Sequence, residues 1–138
     1  MAGSNYVLSK GIKVLSTYNS SAAAGVTPYR CVKTATGQTV DLNATAATIS
    51  LGVIQDSIDV SKVVSGKAVA NVAMQGICKV YVTTAASLVI GSKVMAGTSG
   101  GVLLATSTNA VVGIVVGFNG TLADGDIIDI ELTPGLVA

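Results

Sequence analysis

GKAVANVAMQGICKVYVT, residues 66–83, is the stretch whose reading decides the fold. In its second half Cys78, Val80 and Val82 alternate with Lys79, Tyr81 and Thr83, the period of a strand with one face buried and the other wet or in contact. Gly66 to Met74 forms a matching run before it, and only Gln75-Gly76 separates the two. A two-residue connection of that kind predicts a tight β-hairpin.

The same signals recur on either side. Upstream, the pattern predicts strands over Ile12 to Thr17, Tyr29 to Thr34, Thr39 to Leu42 and Leu51 to Ile54, with Thr36-Gly37-Gln38 turning the second into the third. Downstream come Lys93 to Ala96, Val102 to Ala105, the run Val111 to Phe118, and a last strand with Ile128, Ile130 and Leu132 inward and Asp129 and Glu131 outward. Val111 to Phe118 is apolar on both faces. It reads as a central strand covered on both sides, with a subunit interface on one face as the alternative. Asn43 to Ser50 and Ala85 to Ile90 read as short helical turns, and no segment sustains a helical period. About ten short strands give an all-β fold, a compact β-sandwich or small β-barrel. Residues 1–27 are expected to form an N-terminal arm, first strand and linker, and residues 28–138 the β-rich domain.

Composition narrows the function. Histidine is absent and Glu131 is the only glutamate, so the groups that most often do acid–base chemistry near neutral pH are scarce. No Ser-His or Cys-His pair can form, and no S-x-x-K spacing supplies a lysine-activated serine. Carboxylate pairs remain available among Asp41, Asp56, Asp59 and the C-terminal group, without a spacing that favours them. Asp124-Gly-Asp126-Ile-Ile-Asp129 lacks the glycine and closing glutamate of an EF-hand loop and reads as a turn entering a strand. Gly97 to Gly101 lacks the Lys-Ser/Thr of a phosphate-cradling loop. Gly113 and Gly117 mark close backbone approach. No catalytic residue, metal site or cofactor is expected, and the protein is read as a non-enzyme.

Charged residues make up 11% of the chain and the net charge is +1, too little field to favour nucleic acid or an anionic membrane as partner. All eight basic residues lie at or before Lys93, and four of the seven acids fall from Asp124 onward. Mean hydropathy is high at +0.68. The longest apolar run, Ala110 to Phe118, is nevertheless less than half of the roughly 20 residues a spanning helix needs. Met1-Ala-Gly-Ser-Asn-Tyr6 carries no basic region followed by an apolar stretch, so synthesis in a cytosol is expected. In that reducing setting Cys31 and Cys78 are expected as buried free thiols. With half the residues hydrophobic but only Tyr6, Tyr18, Tyr29, Tyr81 and Phe118 aromatic, the core is expected to consist of small β-branched side chains.

Tyr29-Arg-Cys-Val-Lys33, Gly37-Gln-Thr-Val40, Gly52-Val-Ile-Gln55, Gly66-Lys-Ala-Val69, Gly91-Ser-Lys-Val94, Ala96-Gly-Thr-Ser-Gly-Gly101 and Val112-Gly-Ile-Val115 form an ordered series of glycine, turn and strand. From Pro28 to Gly135 this series resembles the capsid cement, or decoration, proteins of tailed bacteriophages. The resemblance implies a homotrimer on the exterior of a mature icosahedral head, made in the bacterial host cytoplasm. Its partner would be the major capsid protein, whose neighbouring copies it would bridge against internal DNA pressure. A ligand that binds only the expanded lattice stabilises it by about 2.7 kcal/mol per site at a hundredfold excess over Kd. Three contacts on one trimer would reinforce one another.

Sparse large side chains in weakly patterned segments are candidate anchors, so Tyr6, Leu8 and Tyr18 are the expected capsid contacts; the alternative is that they pack on their own subunit. Competing readings are a phage tail, fibre or baseplate component, an Asp-based polysaccharide-degrading enzyme, and a carbohydrate-binding module. The last has few flat aromatic surfaces on which to stack sugars.

Overall fold

The computed structural model describes residues 8–20, 25–106 and 109–137. Ten strands and one short helix follow in the order β1 (Leu8–Val14), β2 (Arg30–Ala35), β3 (Thr39–Leu42), β4 (Gly52–Ile54), α1 (Val60–Val64), β5 (Val69–Gln75), β6 (Ile77–Tyr81), β7 (Lys93–Ala96), β8 (Val102–Leu104), β9 (Ala110–Gly117) and β10 (Ile127–Val137). The all-β expectation holds, and both anticipated architectures contribute to it. β1, β3, β2, β4 and β5 close a five-stranded barrel, and β6, β10, β9, β7 and β8 form an open sheet packed on it.

Two-residue periodicity explains how one chain segment serves both halves. In β2, Val32 belongs to the barrel core while Cys31 packs with the open sheet; β4 divides Ile54 and Val53 in the same way, and β5 divides Val72 and Ala73. At these positions the three strands are apolar on both faces, as a strand covered on both sides must be. Each fully buried valine or isoleucine among them contributes about 1.5–3 kcal/mol relative to an exposed one. Val63 of α1 joins the barrel core, and Asp59 caps that helix: its Oδ2 accepts from the Ser61 backbone N–H at 3.4 Å and also from the Ser61 hydroxyl at 2.6 Å.

The expected hairpin across Gln75-Gly76 does not form. β5 is already paired antiparallel to β1 on one edge and to β4 on the other, which leaves it no free edge. At Gly76, with φ of 87°, the chain steps from barrel to open sheet, where β6 pairs with β10. The Thr36-Gly37-Gln38 turn does join β2 to β3 as an antiparallel pair.

The two expected helical turns are irregular loops. Asn43 is fully buried and its amide donates to Thr48 O at 2.9 Å and Ser50 Oγ at 2.8 Å, so a side chain rather than a helical ladder organises residues 43–50. Ser87, with φ of 66°, interrupts the second. α1 was not signalled by the sequence because five residues are too few to show a period.

β9 is central, between β10 and β7. Val111, Val112, Gly113 and Val115 are buried, whereas Val116, the extra residue of a bulge opposite Asp129 and Ile130, is 38% exposed. Covering on both sides therefore holds over the first part of the strand and lapses at its end. At Gly113 a Cβ would run into the Glu131 carbonyl oxygen, the close approach that its sequence context predicted. At the C-terminal acidic segment Asp126 Oδ2 accepts from Ala123 N at 2.9 Å, closing the expected turn, while Asp124 Oδ1 accepts from Ala85 N at 2.8 Å and ties that turn to the loop after β6. Cys31 and Cys78 are buried free thiols, as expected.

Candidate contact surface and a polar junction

β1 belongs to the barrel, so the boundary drawn between residues 27 and 28 cuts through a closed sheet. Leu8 to Lys13 pairs along β5, but β1 meets β3 only at Lys13–Thr39 and Val14–Val40. Beyond that point, among the described residues, the other edge of β1 pairs with nothing. The barrel closes through those two pairs alone, and its mouth lies beside the unpaired stretch of β1. Two adjoining cavities of about 550 and 540 Å³ occupy the mouth and share Thr34, Leu51 and Met74. Leu8 and Ile49, 40% and 56% exposed, border the first, and Lys10 and Ile12 border the second.

The three expected contact residues part company. Tyr6 lies outside the described residues. Leu8 stands at the mouth of the barrel, available to a partner. Tyr18 is 2% exposed and packs in the barrel core with Val14, Val26, Val40 and Leu42, so on this structure it is a core side chain of its own subunit.

Tyr18 has a second property that the sequence did not suggest. Its hydroxyl is buried without a hydrogen-bond partner, and burial pushes the phenol well above its ordinary pKa, with the nearby Asp41 carboxylate adding to the rise. The Arg30 side chain borders the same small cavity, about 50 Å³ between Tyr18, Asn19, Thr27, Arg30, Leu42 and Ser99, where barrel and open sheet meet.

Arg30 is held from two directions. Its guanidinium lies 3.7 Å from the centre of the Tyr81 ring, and Nη1 donates to Ser99 O at 2.9 Å. Its Nε is buried and unpartnered. The backbone around it is strained: Asn19, Tyr29 and Ser99, with φ of 63°, 68° and 61°, are three of the five non-glycine residues with positive φ among those described. Arg30 is the only arginine beside seven lysines, and that choice of a planar fork over a point charge is the one sequence signal that could have pointed to it.

The thiols offer no chemistry. Burial pushes Cys31 up to about 12, with Cys78 as the next cause, and Cys78 to about 12, with Asp129 adding to it, so neither is a nucleophile near neutral pH.

The chain is similar to the N base of the head fiber gp8.5 of bacteriophage phi29, with a TM-score of 0.61 at 15% sequence identity, covering 93% of this chain and 95% of that one. At that identity the likeness is one of fold. No protein-family model matches the chain, and no curated protein matches it.

Proposed function

We propose that the protein is a structural component of a phage virion, seated on the exterior of the capsid as a decoration protein that binds the major capsid protein. The observation that carries this reading is the fold shared over almost the whole chain with a head fiber base. The glycine, turn and strand series from Pro28 to Gly135, with its resemblance to decoration proteins, is in keeping with it. The open barrel mouth, with Leu8 and Ile49 exposed beside Lys10, supplies a surface for a protein partner. A non-enzymatic role fits a chain without histidine whose thiols are both buried. Among the described residues no helix is long and apolar enough to cross a membrane, and the net charge of the whole chain is only +1. Assembly as a homotrimer belongs to the same proposal, and sedimentation of the free protein as a monomer at micromolar concentration would count against it.

The second reading is that the chain is itself the base of a fibre, and its likeness to the N base of a head fiber favours this as much as decoration. Cryo-electron microscopy of the source particles separates the two. Compact knobs on the head exterior, with no density rising from them, are expected for a decoration protein. A stalk continuing from the same density would make it a fibre base. Bare heads, with the chain found in the tail, would remove both.

A further inference from the structure

Two dipeptides in the connection from β9 to β10, Asn119-Gly120 and Asp124-Gly125, can in principle close a five-membered imide between a side chain and the next backbone nitrogen, and the fold treats them in opposite ways. Phe118 and Leu122 are half-buried against the core of the open sheet, and Asn119, Gly120 and Thr121 arch between them, all exposed. Among the described residues no hydrogen bond engages the backbone of Asn119 to Thr121 or the side chain of Asn119. An exposed arch pinned only at its ends is free to reorganise locally. At Gly120, with φ of 63°, no atom stands within 4 Å of the place a Cβ would take, so its nitrogen is unhindered.

Asp124-Gly125 is held at both reacting groups. Asp124 Oδ1 accepts from Ala85 N, and the Gly125 N–H donates to Val82 O, at 2.8 Å each. Asn119 is also the only asparagine in the sequence followed by glycine. Elsewhere the amides of Asn43 and Asn109 are engaged, with Thr48 and Ser50 and with Thr106, and Asn71 lies within β5.

We propose that the fold leaves Asn119 free to modify itself by deamidation while it holds Asp124 back. The Gly120 nitrogen bonds to Asn119 Cγ as its proton is lost to hydroxide, and the Cγ–Nδ2 bond breaks, the side-chain nitrogen leaving as ammonia. Water then opens the imide. Addition at Cγ gives aspartate; addition at the main-chain carbonyl gives isoaspartate, in which the backbone runs through the side chain. Nothing is oxidised or reduced, and water is the only co-reactant. The product carries a carboxylate, ionised at neutral pH, on the cleft that residue 119 shares with Phe118, Leu122, Asp126 and Ile127. The seven acids become eight against eight bases, and the net charge of +1 falls to zero. None of this rests on the virion reading.

The full-length protein is incubated at neutral pH, folded in buffer or unfolded in urea, and sampled over weeks by isoelectric focusing and peptide mapping. The folded protein is expected to accumulate an acidic species whose peptide spanning residue 119 has gained the mass of NH₂ replaced by OH. Its formation is expected to quicken from pH 6 to pH 9, because attack needs the Gly120 nitrogen deprotonated. Asn119→Gln keeps the amide but would need a six-membered ring, and is expected to lose the acidic species. The ratio of isoaspartate at residue 119 to isoaspartate at residue 124 is expected to be higher in the folded protein than in urea, where both dipeptides are released. Folded protein still intact at residue 119 after the unfolded chain has converted would overturn the proposal. So would an equal ratio in the two states, since sequence alone would then set the reactivity.

Discussion

Cys31 and Cys78 set an alkaline limit on this fold. Their thiols hold their protons up to about 12 in the folded chain but ionise from about 9.0 once exposed. Between those values the unfolded state binds fewer protons, so the stability they contribute is complete below pH 9 and is lost as pH rises towards 12. Urea unfolding at pH 8, 9.5 and 10.5 is expected to show this decline, and a Cys31→Ala/Cys78→Ala variant a shallower one, with Tyr18 supplying the remainder. A thiol reagent is expected to modify neither cysteine until the chain unfolds. The two testable contact residues separate just as sharply. Tyr18→Ala is expected to cost about 3–5 kcal/mol in denaturant unfolding. Leu8→Ala is expected to change stability by no more than about 0.5 kcal/mol and, if the barrel mouth meets the capsid, to lower occupancy on particles. Leu8 was legible in the sequence as an available side chain. Tyr18 takes the alternative, packing on its own subunit, because barrel closure places it in one core with Val26, Val40 and Leu42, which a weakly patterned segment does not announce. Arg30 was invisible as a site because Ser99, its acceptor, lies 69 residues away in the chain.

Strand existence and strand pairing proved to be separate problems at the scale of elements. Alternation and short apolar runs between turns marked ten strands, the first of them displaced, since it was expected over Ile12 to Thr17 and runs from Leu8 to Val14. These signals could not assign partners: Gln75-Gly76 has the length of a hairpin, yet β5 and β6 lie in different sheets because both edges of β5 are taken. Glycines give a finer test of pairing. Gly113→Ala is expected to destabilise by about 1–3 kcal/mol, because the new methyl group would displace the Glu131 backbone and loosen β9 from β10. Gly117, whose nearest neighbour to such a methyl is Asp129 Oδ2 at 3.7 Å, has ordinary contact distance to spare. Gly117→Ala is therefore the matched control, with an expected cost below that of Gly113→Ala in the same unfolding assay.

Across the whole molecule, the two halves differ in charge and are joined in packing. Six of the eight basic residues lie at or before Lys67, in the barrel, while four of the seven acids lie from Asp124 onward, in the open sheet. The join is made by β2, β4 and β5, each of which gives alternate side chains to the two cores. Thermal unfolding followed by circular dichroism and by the environment of Tyr81 is expected to give one coincident transition. Amide hydrogen exchange is expected to be slowest in those three strands, since they open only when both cores do. Two separated transitions would show that the cores are independent. A shared layer of this kind also governs how the protein carries load. A pull applied to the sheet would pass directly into the barrel through strands that belong to both cores, so the two halves are expected to yield together rather than one after the other.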